Sequence, residues 1–355
     1  MKKLFSLMLV LALALTGLTA FAAEGTYEIA LVTDVGNIDD QSFNQSSWEG
    51  VEAFAQENGI TYSYYRPSED STDARIESMI AAIEKGAKVL VCPGYLFEDS
   101  VYEMQKQYPE VNFLLLDGEP HTADYSTYET ASNTHNILYR EEQAGYFAGY
   151  AAVKDGYTKL GFLGGMAVPA VVRYGLGFVQ GADAAAADMG INVDIKYWYS
   201  DSFVATDDIK TKMSGWYTEG TEVVFACGGG IYLNAMAAAK EAGAKVIGVD
   251  SDQGYIDEVF ITSAMKDLTN SVKLALTDLY ANNVVWPDGY SGKTANLGAA
   301  EKCVGLPTAE ASWRLNTYTV AEYEDLFAKV ISGDVSISPS LEEPAVTNAT
   351  VDYQN

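Results

Sequence analysis

Short apolar runs alternate with longer segments of helical period through almost the whole chain. Glu28–Thr33, Thr61–Tyr65, Lys88–Cys92, Asn112–Asp117 and Lys159–Leu163 read as strands, as do Asn192–Tyr199, Glu222–Cys227, Lys245–Val249 and Phe260–Ala264. Between them, Ser47–Asn58, Asp73–Lys85, Arg140–Lys154, Val171–Met189 and Ile231–Ala242 read as helices. Gly59, Gly86, Gly190 and Gly243 stand at helix ends, where a left-handed cap is wanted. Strand and helix in alternation, with strands apolar nearly throughout, predict an α/β fold of mainly parallel sheets flanked by helices. One unit runs from about residue 23 to 130 and a second from about 131 to 249. After Asp250 come one more strand, a helix over Ser271–Ala281 and an irregular remainder, ending in an extended, loosely held tail over 339–355.

The stretch Ala30–Gly50 concentrates the candidate chemistry. An apolar strand ends at Thr33, and a polar loop follows. Asp34, Asp39, Asp40 and Asn44 can hydrogen-bond a polar ligand, and Phe43 can cover a flat one. Ser46 and Glu49 have the Ser-x-x-Glu spacing of a capping box, which predicts a helix start there. Ligands of open α/β sheets bind at the carboxyl ends of strands, so this loop lies where a site would be built.

Lys2 and Lys3, the apolar Leu4–Leu18 run and Ala20-Phe21-Ala22 have the three parts of a secretory signal, so residues 1–22 are expected to be removed on export. The run is short for a membrane span, which needs about 20 residues; a retained N-terminal anchor is the alternative. Without Lys2 and Lys3 the formal charge of −27 becomes −29. Such a surface repels phosphate backbones and anionic headgroups, which argues against nucleic acid as a partner and says little about an uncharged ligand. Cys92, Cys227 and Cys303 cannot all pair internally, and Cys92 and Cys227 end apolar runs, which favours buried small hydrophobes. With only His121 and His135 besides, zinc or redox chemistry has little support, and no cofactor is expected. Asp250-Ser251-Asp252 opens like a calcium loop, but Gly254 replaces the third ligand and Ile261 the bidentate Glu.

Ala30–Gly50 is similar to the opening motif of the basic-membrane-protein, or purine-nucleoside-receptor, family of solute-binding proteins. Further segments resemble that family in the expected order along nearly all of the chain after residue 22. They begin with Glu141–Ala152, Gly161-Phe162-Leu163-Gly164-Gly165-Met166 and Gly177-Phe178-Val179-Gln180-Gly181. Ser200-Asp201-Ser202-Phe203, Gly228-Gly229-Gly230, Val249-Asp250 and Thr262-Ser263-Ala264-Met265-Lys266 follow. One departure is plain: family members usually carry a Leu-x-Gly-Cys lipidation signal, whereas Leu15-Thr16-Gly17 is followed here by Leu18, which argues against a lipid anchor.

The resemblance implies a two-lobed fold of the type I periplasmic-binding-protein kind, with the ligand cleft between lobes. By that analogy lobe 1 comprises residues 23–130 plus about 251–283, and lobe 2 residues 131–250 plus about 284–338. Crossings are expected near Ser132–His135 and Asp250–Gln253. The resemblance also implies an extracytoplasmic binding component of an ABC importer: a monomer that holds a purine nucleoside and meets a permease. Phe43 and Phe203 match the rings that sandwich the base, and Asp34 and Asn44 the groups that read its edge. Asp117, Gly229, Asp250 and Lys266 match positions at or near the ribose.

Those residue types suit a neutral, planar, hydroxyl-bearing ligand. A stacked aromatic contributes about 1–3 kcal/mol per base, and carboxylates accept from purine amino groups and from vicinal hydroxyls. A nucleotide would need basic groups or a helix N-terminus, and Gly228–Gly230 lack flanking Lys or Arg. Each residue also has an ordinary use. Phe43 and Phe203 suit core packing, Asn44 helix capping, Asp34, Asp117 and Asp250 turn hydrogen bonds, and Lys266 a solvated surface. Binding of a sugar or furanone, a sensor or adhesin role, and cleavage of a glycosidic bond by paired carboxylates are the competing readings.

Overall fold

The computed structural model describes residues 26–354, so the expected signal segment, its cleavage site and Leu18 lie outside the described residues. The chain opens with β1 (Ile29–Val32), α1 (Phe43–Asn58), β2 (Tyr62–Tyr65), α2 (Thr72–Glu84), β3 (Val89–Pro93), α3 (Glu98–Gln107), β4 (Asn112–Leu116) and β5 (Thr134–Tyr139). It continues through α4 (Glu141–Lys154), β6 (Lys159–Gly164), α5 (Pro169–Met189), β7 (Val193–Tyr199), α6 (Asp207–Thr218), β8 (Val223–Cys227), α7 (Tyr232–Ala242), β9 (Lys245–Asp250) and β10 (Phe260–Lys266). It ends with α8 (Leu268–Ala281), β11 (Lys293–Leu297), β12 (Val304–Gly305), α9 (Val320–Ser332) and β13 (Ala349–Tyr353).

Two sheets result, ordered β11-β5-β4-β3-β1-β2 and β12-β10-β9-β8-β6-β7-β13. Every pairing is parallel except that of β10 with β12. Alternate residues of β1 enter different cores: Ile29 and Leu31 join the cluster that runs between the sheets, and Ala30 and Val32 the one on the outer face. Burial on both faces is why the strands read as unbroken apolar runs.

The division of the C-terminal third differs from the expected one. β5 pairs with β4 in the first sheet, although it was assigned to lobe 2. β10 continues the second sheet beside β9, although it was assigned to lobe 1, while α8 packs on α1 of the first lobe. β11, expected in lobe 2, closes the edge of the first sheet against β5. Apolar pattern specifies a strand but not its neighbour; that is decided by long-range pairing. The chain therefore passes between lobes at Tyr139–Glu141, at Lys266–Leu268 and in residues 298–303. The expected crossings fall inside single lobes: Ser132–His135 leads into β5, and Asp250–Gln253 links β9 to β10. The tail is pinned rather than loose. β13 pairs in parallel along β7, and the Asp183 carboxylate accepts from the N–H groups of Thr347, Asn348 and Ala349 at 2.6–2.9 Å.

One helix contact positions the cleft. α4 and α5 cross so closely that a Cβ on Gly145 would lie 2.0 Å from the Tyr174 carbonyl oxygen, and one on Gly181 2.0 Å from that of Tyr146. The approach holds Glu141 at the start of α4 against Arg173 on α5, with Arg173 Nε 2.6 Å from Glu141 Oε2.

Candidate ligand cleft between the lobes

Parallel order gathers the strand carboxyl ends at one edge of each sheet, and residues from those ends of both sheets line one cleft with about 710 Å³ of atom-free space, its mouth included. The first lobe contributes Asp34, Phe43, Asn44 and Asp117 to its lining; the second contributes Phe203, Gly229, Asp250 and Lys266. The eight residues matched to the family's site thus meet in one cavity, although Asp34 and Lys266 are more than 200 positions apart, whereas Asp39 of the same loop is exposed and outside the lining.

Helix α1 begins at Phe43, four residues earlier than expected, and the Ser46–Glu49 pair does not cap it. Asp40 does that work: its carboxylate accepts from the N–H groups of Ser42, Asn44 and Gln45 at 2.9–3.1 Å. An acid at a helix N-terminus satisfies free N–H groups and meets the positive end of the dipole. The early start places the Phe43 ring in the cleft, half-buried, beside Gly94. Phe203 is also half-buried and sits on a floor of glycine. A Cβ on Gly165 would come within 2.4 Å of its ring, and one on Gly229, where φ is +49°, within 2.9 Å of its carbonyl oxygen. Gly229 thereby secures the seat of Phe203.

Asn44 donates to Asp34 Oδ1 at 2.8 Å and to Asp40 Oδ2 at 2.9 Å, and its own Oδ1 accepts from the Asp34 N–H at 3.3 Å. Both amide hydrogens are therefore engaged, and Asn44 orients carboxylates instead of presenting a free donor. Asp34 Oδ1 also accepts from the Gly36 N–H at 2.7 Å. Its Oδ2 lies on the side facing Gly94. Burial pushes the Asp34 carboxyl up to about 6 against those two hydrogen bonds.

Asp117 and Asp250 occupy equivalent places at the ends of β4 and β9, both with left-handed backbone, φ +58° and +62°. Aspartate tolerates that region better than most residues. Lys266 lies between the lobes, 2.5 Å from Asp117 Oδ2 and 3.1 Å from Glu141 Oε1, with its Nζ 5.0 Å from the centroids of Phe43 and Tyr139. Burial raises the Asp117 carboxyl to about 7, with the Lys266 charge opposing. Burial alone would also raise Glu141, but the charges of Lys266 and Arg173 outweigh it and hold that carboxylate below its usual range. Burial disfavours the Lys266 charge; Asp117, Glu141 and Asp250 overcome that and hold its ammonium above its ordinary value. The lysine is a buried ion-pair centre rather than a surface charge.

Hydrogen bonds across the cleft tie the lobes directly. Ser42 Oγ donates to Asp250 Oδ2 at 2.6 Å. The Gln41 carbonyl, at φ +56°, accepts from Ser251 Oγ at 2.8 Å and from Gln253 Nε2 at 3.1 Å, and Tyr255 donates to the Gln41 side chain. Sequence reasoning named Asp40 as a hydrogen-bonding group of the loop without assigning it a place in the site, and omitted Tyr174 and Cys227 from the lining and Glu141 and Arg173 behind it. Asp40, two residues before Ser42, carried a legible capping signal; the others are brought in only by packing. Cys92, Cys227 and Cys303 are buried and unpaired.

Two mainly parallel sheets, a triple chain crossing and a polar–aromatic cleft between them define a bilobed fold of the periplasmic-binding-protein type. A solute-binding protein of an ABC transporter system from Aeropyrum pernix K1 has the same fold, with a TM-score of 0.74 at 22% identity over 89% of this chain and 94% of that one. The family model described as ABC transporter substrate-binding protein PnrA-like matches residues 28–340, and the chain belongs to that family. Among curated relatives, an ABC transporter nucleoside-binding protein, BmpA, of Lactococcus lactis is 32% identical over 240 residues, 64% of each protein. The CD4+ T-cell-stimulating antigen of Listeria monocytogenes is 29% identical over 333 residues, 88% of each. Among the described residues no helix is long and apolar enough to cross a membrane.

Proposed function

We propose that this substrate-binding protein works outside the cytoplasmic membrane, captures purine nucleosides and presents them to an ABC permease, without chemical change to the ligand. The observation that carries this reading is one half-buried aromatic ring from each lobe in a single cleft, among carboxylates whose oxygens are only partly engaged. A base stacks between the rings; Asp34 accepts from its edge, and Asp117 and Asp250 accept from the sugar hydroxyls. Lys266 is the only basic side chain in the lining among the described residues, and both Asp117 and Glu141 already neutralise it. A phosphate would enter an acidic cleft with no uncommitted cation, which favours nucleoside over nucleotide. The name of the Lactococcus relative supports the same ligand class.

Closure then follows from the three crossings, with Ser42 and Gln41 meeting the Asp250–Tyr255 segment as the lobes approach. The ligand bridges both halves and shifts the open–closed equilibrium toward the form the permease reads. Thermal-shift screening against nucleosides, free bases, nucleotides and sugars tests the reading, because excess ligand stabilises the folded state by mass action. Purine nucleosides should raise the melting temperature; stabilisation by sugars alone would refute the proposal.

The elevated Asp34 carboxyl makes binding pH-dependent. An acceptor must be ionised, so with a value of about 6 affinity at pH 5 should be roughly tenfold below that at pH 7.5. Asp34→Asn should flatten that part of the calorimetric pH profile. For folding the sign is reversed. A carboxyl held above its unfolded value stabilises most below about pH 4, and that contribution disappears as pH rises through 6. Unliganded Asp34→Asn should therefore gain stability relative to the parent at neutral pH.

A further inference from the structure

Tyr174 on α5 is 2% exposed, and its hydroxyl has no hydrogen-bond partner among the described residues. Its ring is well held: Phe225 meets it edge-on at 5.9 Å, and Lys266 Nζ lies 5.5 Å from its centroid. The side chain lines the cleft together with Asp117 and Asp250. Tyr95, the other hydroxyl-bearing side chain of the lining, is already paired with Tyr125 at 2.7 Å. A second buried oxygen in the same lining, Asp117 Oδ1, also lacks a partner among the described residues, while Lys266 holds Asp117 Oδ2.

Buried polar atoms are almost always paired, so two unpaired ones in one cavity mark where a ligand's polar group belongs. Their chemistry is complementary. The phenol has one hydrogen to donate, and burial, reinforced by the negative charge of Asp250, keeps it protonated. The carboxylates accept. A ligand carbonyl would satisfy only the phenol, and an amino group is best suited to the carboxylate. A hydroxyl satisfies both at once.

We propose that Tyr174 is a specificity-determining residue: its hydroxyl donates to a ribose hydroxyl that in turn donates to Asp117 or Asp250. The cleft thereby discriminates ribonucleosides from their deoxy analogues. This inference rests on the nucleoside reading above and names the sugar that the site demands.

Calorimetry of the purified protein and of Tyr174→Phe with guanosine, 2′-deoxyguanosine and 3′-deoxyguanosine tests it. The parent should bind guanosine at least tenfold more tightly than one of the deoxy compounds. Tyr174→Phe should lose about five- to tenfold in guanosine affinity and bind that deoxy compound as before, so that discrimination collapses. The unliganded variant should melt no lower than the parent, because it no longer buries an unpaired hydroxyl; a residue with only a structural role would not combine those results. Unchanged guanosine affinity in Tyr174→Phe, or equal losses for all three ligands, would overturn the inference. A parent protein that binds none of the three would overturn the nucleoside reading and the inference with it.

Discussion

Replacement of either cleft ring by alanine, Phe43→Ala or Phe203→Ala, is expected to weaken nucleoside binding by about 1–3 kcal/mol, roughly 5- to 150-fold. In the proposed sandwich the two losses would arise on opposite faces of the same base. Once one wall is gone the base is less firmly placed against the other, so the double variant should fall short of additivity. The stability of the unliganded protein separates this from core packing. Truncation of a fully buried Phe costs about 3–5 kcal/mol of folding free energy, whereas these rings are half-buried and line a cavity. Denaturant unfolding without ligand should therefore change little while calorimetric affinity falls. If both single variants retained the parent affinity, the sandwich would be refuted.

The second large effect is expected at Lys266. It is 3% exposed and forms ion pairs with Asp117 and Glu141. Lys266→Met keeps much of the side-chain volume but leaves two buried acids facing each other without the intervening ammonium. Removal of one partner from a buried pair typically costs about 3–5 kcal/mol, so urea unfolding of the unliganded variant should show a loss in that range. Asp117→Asn in the same background should recover part of it, because a neutral amide carries no charge to compensate. A loss below about 1 kcal/mol, or no recovery in the double variant, would show that the pairs are not coupled as their geometry indicates. Lys266 and Glu141 sit at the ends of elements where the chain passes between lobes. The cluster therefore couples the crossing region to the cleft, and loss of the lysine should weaken ligand binding as well as folding.

Most elements were legible because local rules act within a few residues. Apolar runs marked nine of the thirteen strands among the described residues to within a residue or two but missed β5, β11, β12 and β13, and Gly59, Gly190 and Gly243 cap helices in the left-handed conformation. The start of α1 was misplaced because Ser46 and Glu49 have capping-box spacing while Asp40, outside that motif, supplies the cap. The site residues came from motif resemblance at the ends of strands. Geometry divides their work: Asn44 aims Asp34 and Asp40, Gly229 makes room for Phe203, and Lys266 neutralises acids instead of meeting solvent.

Side-chain type and spacing along this chain were enough to determine an α/β architecture and a site at its strand ends, while the aromatic and acidic groups stationed there were picked out by motif resemblance. Hydrophobic period and turn chemistry are properties of neighbouring residues, which a linear reading contains. Only the tertiary structure decided that β5 and β11 belong to one sheet and β10 to the other, that β13 ties down the C-terminus, and that Tyr174 and Asp117 each leave an oxygen unpaired in one cavity. Those outcomes depend on which distant segments pair and on which polar atoms lose water when they do, and neither follows from local propensity.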